Sequence, residues 1–281
     1  MLKWLGKIKS ALNQRLMNQN IRKICFFNSD PKWGGGVTFY QDHVVGLQER
    51  GYEVVGVCSS GSLLSKWYIL AKINQWTIDV GRLSFLNPLK IIRLVRFYRK
   101  AKIDAVLFTT SEDLKLGGIA AKIARVPRII YRRGLAVPIK NRFTNRYIFK
   151  KVLTHIIANS EETKSTVLRH LSDHIAPDNI KVIYNGIDVA KHVETPHDPI
   201  WQPTGLNKNP IVIGNAGRLS NEKGQAQLIS IAKELKARNH DFVILIAGSG
   251  NLEAELQTLI ADSDLSDHIK MIGYVENIDR F

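Results

Sequence analysis

Apolar runs of strand length alternate with helix-length stretches along most of this chain. Ile24–Phe27, Glu53–Cys58, Asp104–Thr109 and Arg128–Tyr131 read as strands rich in β-branched and aromatic residues, and 179–188 as a strand and turn. Between them the apolar positions recur at three- and four-residue steps. Val37, Tyr40, Val44, Val45 and Leu47 predict a helix stopped at Gly51; Leu89, Ile92, Val95 and Tyr98 predict one from Pro88 to Lys100; and small residues over 113–124 predict a third. Ser160, with Thr163 three residues on, caps a further helix. Only 61–87 resists assignment, with Trp67, Tyr68 and Trp76 expected to cover a sheet edge. Near-continuous apolar strands separated by helices predict a doubly wound parallel α/β domain.

The alternation stops in a stretch marked by Pro196, Pro199, Pro203 and Gly205, which reads as a linker over 196–208. It resumes at Ile211-Val-Ile-Gly-Asn-Ala-Gly-Arg-Leu-Ser-Asn-Glu-Lys-Gly224. Here a strand runs into glycines and a polar turn, and a helical pattern starts near Glu222. Backbone N–H groups at such a corner suit an anion. Arg218 brings a planar fork for phosphate oxygens and Lys223 a mobile point charge. The helix 225–238 is expected to turn Leu228, Ile231, Ala232 and Leu235 inward. A second strand and glycine corner follow at Phe242-Val-Ile-Leu-Ile-Ala-Gly-Ser-Gly250, and a third strand at 269–272. The expected domains are therefore a basic amphipathic helix over 1–20, an α/β domain over 21–195, the linker, and a partial α/β domain over 209–281.

Charge divides the chain the same way. Residues 1–200 hold 32 Lys and Arg against 15 Asp and Glu, and residues 201–281 hold 8 against 10, which together give the net +15. The cationic field belongs to the first part and implies an anionic partner such as a phospholipid surface or a phosphorylated glycolipid. Nucleic acid is disfavoured, because the aromatics form no stacking pattern and no binding motif accompanies them. Leu2, Leu5, Ile8, Leu12 and Leu16 with Trp4 and several lysines fit either a membrane-interface helix or one packed on its own domain. Cys25 and Cys58 lie in strand-like runs and read as buried thiols of a reducing compartment. No apolar run is long enough to cross a bilayer. The glycines after the first strand do not follow the dinucleotide spacing, and no ribose-binding acid closes the second strand, so a nicotinamide cofactor is disfavoured. Arg132-Arg133-Gly134 falls at the carboxyl end of a strand, where ligands of parallel sheets collect. The pair serves either an anionic substrate or charge balance.

Gly217-Arg-Leu-Ser-Asn-Glu-Lys-Gly224, with the Ala-Asn-Ser segment at 158–160 and Asn-Gly-Ile-Asp at 185–188, resembles glycosyltransferase family 4, the retaining enzymes of GT-B fold. The resemblance implies two Rossmann-like domains, the second incomplete here, and a nucleotide-sugar donor as substrate with no metal and no other cofactor. It implies that Arg218, Lys223 and Gly217 hold the donor diphosphate, that Gly35 and Gly36 border donor and acceptor, and that Gly248, Gly250 and Val275 lie near the nucleotide. Arg133 replaces a histidine that many members carry near the reacting sugar, and is the catalytic candidate. The implied reaction moves a sugar to a lipid-linked or cell-envelope glycan, in lipopolysaccharide or polysaccharide synthesis, in the cytoplasm or at the cytoplasmic face of the membrane. The family's pair of glutamates seven residues apart is missing from the chain, which reads as truncated, with marginal stability expected over 209–281. The alternative is an inactive remnant that binds membrane or anionic glycolipid through its basic first domain.

Overall fold

The computed structural model describes residues 21–31, 35–186, 210–275 and 278. The expected helix over 1–20 and the linker over 196–208 lie outside the described residues. The chain divides into two compact units, Met1–Asn185 and Gly186–Phe281.

The first unit is built on a parallel sheet of seven strands in the order β3-β2-β1-β4-β5-β6-β7. The strands are β1 (Lys23–Phe27), β2 (Glu53–Cys58), β3 (Asn74–Thr77), β4 (Ala105–Phe108), β5 (Arg128–Arg133), β6 (His155–Ala158) and β7 (Ile180–Val182). Cys25 pairs with Val55 on one side and Val106 on the other. Successive residues of a strand point to opposite faces. Cys25 and Phe27 therefore enter one core with Val55, Val57, Val106 and Phe108, while Phe26 enters another with Val54, Cys58 and Leu107. Helices cover both faces, which is why these strands carry no polar alternation. Burial raises both cysteine thiols, Cys58 to about 11.

The connecting helices are α1 (Gly35–Glu49), α2 (Leu63–Leu70), α3 (Pro88–Ala101), α4 over 111–124, α5 over 143–152 and α6 (Glu161–Leu171). α3 starts where expected: the Asn87 side chain accepts from the backbone N–H of Leu89 and Lys90, and Pro88 supplies a preset φ. Its buried stripe is Leu94, Val95 and Tyr98, so Leu89 and Ile92 are exposed, contrary to the sequence reading. Val45 of α1 is exposed as well. Ser160 caps α6 as expected, its Oγ accepting from Thr163 N at 3.1 Å. The unassigned stretch holds α2, capped by Ser62, and the edge strand β3. Tyr68 is fully buried, and Trp76 stacks on Phe97 of α3. α4 and α5 each contain a π-helical turn, at Leu114–Gly118 and Ile148–Val152.

The second unit is a parallel sheet in the order β10-β9-β8, from β8 (Ile211–Ala216), β9 (Phe242–Ala247) and β10 (Ile269–Gly273). β9 is buried along its whole length. α7 (Ala226–Ala237) and α8 (Glu253–Asp262) join the strands and close a core of Leu219, Ile229, Phe242, Ile244, Leu256 and Ile269. β8 is a sheet edge with Ile211 and Val212 about half exposed. In α7, Ile229 and Ala232 face the core and Ile231 does not, a correction to the expected face.

Candidate functional site

In the second unit three loops meet at the carboxyl ends of β8, β9 and β10. Gly217 N donates to Ala247 O at 2.9 Å, Leu219 N to Ser249 O at 3.1 Å, and Gly248 N to Gly273 O at 2.7 Å. This lacing requires glycine at two places. A Cβ on Gly248 would fall 1.9 Å from Gly217 O, and one on Gly250 would fall 2.2 Å from Leu219 O. These are backbone collisions, which side-chain movement does not relieve. Gly248 and Gly250, expected near a nucleotide, thus have a packing duty that shapes the Arg218 loop. Val275 lies two residues past the end of β10.

After β8 the chain does not enter α7 at Glu222, as the sequence suggested. Asn221–Lys223 form one 3-10 turn ended by Gly224 in the left-handed region at φ 69°, and α7 begins at Ala226. Arg218, ahead of this turn, and Lys223, within it, are both exposed. The carboxylate of Glu222 is held below its ordinary value by a hydrogen bond from its own backbone N–H and one from the Ser220 side chain, and further by the charges of Arg218 and Lys223. Gln225, absent from the sequence reading, supports them from below: it is 1% exposed, and its Nε2 donates to Arg218 O at 3.0 Å.

In the first unit the strand order reverses between β1 and β4, and ligands of open parallel sheets bind outside such a point. Gly35 and Gly36 are not in a loop here. They form the first turn of α1, just beyond β1, with backbone N–H groups free of intrahelical partners. Across the reversal, Ser29 and Asp113 join elements 84 residues apart. Asp113 is fully buried and accepts from Ser29 N at 3.0 Å, from the Ser29 hydroxyl, and from the Thr110 hydroxyl at 2.7 Å. This fixes the end of β1 to the start of α4. No local pattern announces the pair.

Burial pushes the Asp113 carboxyl up to about 6, against the lowering effect of those hydrogen bonds. A folded-state value above the unfolded one means the native protein keeps a proton that the unfolded chain loses. Its contribution to stability is therefore present at low pH and falls as pH rises between about 4 and 6. Compared with Asp113→Asn, which has no proton to lose, the wild type should lose about 3 kcal/mol of unfolding free energy between about pH 4 and pH 7. Urea titrations of both proteins at the two pH values measure this, and parallel pH dependence would contradict it.

The two arginines at the end of β5 do different things. Arg132 is 9% exposed, lies 4.3 Å over the Phe39 ring and donates to Asn185 Oδ1 at 2.9 Å. Arg133 is partly exposed; its Nη2 donates to Val137 O at 2.8 Å and its Nη1 to the Tyr131 hydroxyl at 3.3 Å. It holds the loop that follows β5. His155 donates to or accepts from the neighbouring Thr154 hydroxyl and sits within β6, a structural position. Among the described residues, no three His, Cys, Asp or Glu side chains gather as a metal site, and no helix is long and apolar enough to cross a membrane.

Two parallel α/β units, the second with a cationic strand-to-helix corner, define a protein of the GT-B class. Residues 33–191 match the family model described as Glycosyltransferase Family 4, and residues 198–281 match Glycosyl transferases group 1. The chain belongs to glycosyltransferase family 4. It is 28% identical over 210 residues to the UDP-Gal:alpha-D-GlcNAc-diphosphoundecaprenol alpha-1,3-galactosyltransferase of Escherichia coli, spanning 70% of this chain and 54% of that one. It is 27% identical over 270 residues to the GDP-mannose-dependent monoacylated alpha-(1-6)-phosphatidylinositol monomannoside mannosyltransferase of Corynebacterium glutamicum, spanning 94% and 70%. The crystal structure of Anabaena HepE in complex with UDP and glucose superposes with a TM-score of 0.71 at 22% identity, over 92% of this chain and 71% of that one, a likeness of fold. The chain spans about half the length of the E. coli relative.

Proposed function

We propose that this chain carries the donor corner and the acceptor-side unit of a retaining glycosyltransferase. The reaction moves a sugar from a nucleoside diphosphate to a lipid-linked or cell-envelope glycan. One observation carries the reading: Arg218 and Lys223, five residues apart in a match to the family's diphosphate segment, are both exposed where the chain leaves the carboxyl end of a parallel strand. A diphosphate in that place would meet the fork of Arg218, the ammonium of Lys223 and the loop backbone around Gly217. Charge that builds on the leaving diphosphate would be met by groups already in position, which favours the transition state. No divalent metal is required for this clamp. The substrates in the relatives' names, a UDP-linked and a GDP-linked sugar with lipid-borne acceptors, support the donor and acceptor classes.

A peripheral position at a membrane is part of the same proposal. Leu83, Leu86 and Leu89 are each about two-thirds exposed and are flanked by Arg82 on one side and Lys90 and Arg93 on the other. Such a mixture suits the boundary between headgroups and acyl chains.

Calorimetric titration with UDP and with GDP tests the donor assignment. One of the two should bind, and EDTA should leave its affinity unchanged. Absence of heat with both nucleotides would remove the diphosphate-clamp reading. Loss of binding in EDTA would remove its metal-free part. With a UDP- or GDP-sugar bound, the anomeric proton of any transferred sugar reports retention directly by NMR.

A further inference from the structure

The exit of β1 is tied down more heavily than the end of a strand requires. Every polar group of Ser29 has a partner on another element: its N and its hydroxyl donate to Asp113 of α4, and its O accepts from the Ser59 hydroxyl, just past β2, at 2.7 Å. Beside it, Asn28 N donates to Val57 O at 2.9 Å, and the Asn28 side chain accepts from Asp30 N at 2.8 Å. Asn28 and Ser29 are both buried. A second tie comes from Tyr40 of α1, whose hydroxyl donates to Phe27 O at 2.7 Å. Gly35 and Gly36 fall between the two ties in sequence.

The two ties differ in kind. Tyr40 is fully buried and stays neutral, because burial holds its hydroxyl well above the ordinary phenol range. Asp113 can take a charge. Gly117 lets its helix lie close on β1 and β4, since a Cβ there would meet the rings of Phe108 and Phe27 at 2.5 and 2.7 Å. A π-helical turn, Leu114–Gly118, follows Asp113 directly, a device found mostly at functional sites. The groups that face the carboxyl are the hydroxyls of Ser29 and Thr110, Tyr40 from α1, Tyr98 from α3 and the adjacent Glu112. Burial keeps Tyr98 neutral as well, and Glu112 adds only repulsion. Among the described residues no Lys or Arg lies within ion-pair distance of Asp113. Ionised, this carboxylate has hydrogen bonds but no countercharge, so bulk water competes for it.

We propose that Asp113 is a proton-sensitive latch: through Ser29 it positions the exit of β1 and with it the start of α1, and it releases that exit while the rest of the unit stays folded. The neutral acid keeps the latch closed. The charged form gains full hydration only when the latch opens. Asp113 titrates at about 6 when buried and near about 4 in water, so closing is favoured at low pH and loses ground as pH rises from about 4 to about 6. At neutral pH the exit of β1 is then held loosely enough to adjust to a ligand at the first turn of α1. The latch rests on the glycosyl-transfer reading only for the identity of that ligand, the donor or acceptor that Gly35 and Gly36 border.

Amide hydrogen exchange on the full chain, read residue by residue by NMR and corrected for the intrinsic rate at each pH, tests this. The Ser29 amide should exchange through a local opening, far faster than the amides of β4 and unresponsive to low concentrations of urea. That opening should become about tenfold more frequent between about pH 5 and about pH 7. Asp113→Asn, which keeps the shape and has no proton to lose, should remove the pH step. Ser29→Ala, which keeps the amide bond and loses the hydroxyl, should make the opening about tenfold more frequent at both pH values. A Ser29 amide as slow as those of β4, or the same pH step in Asp113→Asn, would overturn the latch. Titration with UDP and GDP keeps the two readings apart, because the donor clamp belongs to the other unit. Nucleotide binding without the step at Ser29 removes the latch alone, and the step without nucleotide binding removes the donor clamp alone.

Discussion

Arg218→Ala should weaken binding of the nucleotide-sugar donor by about tenfold to a hundredfold. Lys223→Ala should do the same or slightly less. A charge-assisted hydrogen bond to a phosphate contributes about 1.5–3 kcal/mol, and each 1.4 kcal/mol is a factor of ten. Both side chains are exposed before a ligand arrives, so neither substitution removes a packed group and the fold should be unaffected. The double variant should lose less than the product of the two, because both cations would contact one diphosphate and their effects are coupled. Arg218→Lys should recover only part of the loss, since an ammonium cannot reproduce a two-pronged grip. Calorimetry with the nucleotide on all four variants measures the series. Unchanged affinity in both single variants would end the assignment of this corner to a diphosphate.

Gly250→Ala should unfold or nearly unfold the second unit. Its new methyl would lie 2.2 Å from Leu219 O and 2.7 Å from Leu219 N, both backbone atoms of the neighbouring loop. Moving that loop breaks its hydrogen bonds to Ser249 and Leu252. A cost above about 3 kcal/mol is expected for a forced backbone shift with lost pairing. Gly273→Ala provides the comparison. Its φ of 72° strains an alanine, yet nothing lies within 4 Å of the added Cβ. It should cost about 1 kcal/mol. Limited proteolysis should cut Gly250→Ala within 210–275 while 35–186 stays resistant, and should leave Gly273→Ala close to wild type. Equal resistance of the two variants would show that the loops are not locked together.

Much of this architecture was legible because central strands of a parallel sheet are apolar on both faces. β1, β2, β4 and β9 stand out as runs with no polar alternation. β3 did not, since Asn74-Gln-Trp-Thr77 has one apolar side chain and lies at the edge, where half the burial is lost. The helix faces failed where two stripes were possible. In α3, Leu89 and Ile92 fit the spacing as well as Leu94, and only packing against the sheet decides. The cationic corner was legible because Arg218, Lys223 and their glycines are contiguous. Its exact shape was not: the 3-10 turn at Asn221–Lys223 depends on Gly224 and on Gln225 pinning Arg218 O from the core. Asp113 and its partner Ser29 were invisible for a simpler reason, a separation of 84 residues. Arg133 was noticed for its charge, but its bond to Val137 O exists only once β5 and the following loop are folded.

The three laced strand ends of the second unit also limit how this corner can change. Hydrogen bonds from Gly217, Leu219 and Gly248 fix each turn against its neighbour, residue by residue. An inserted or deleted residue in any one of them would put all three out of step. Side-chain identity around this rim is therefore freer to change than the length of any of the three turns.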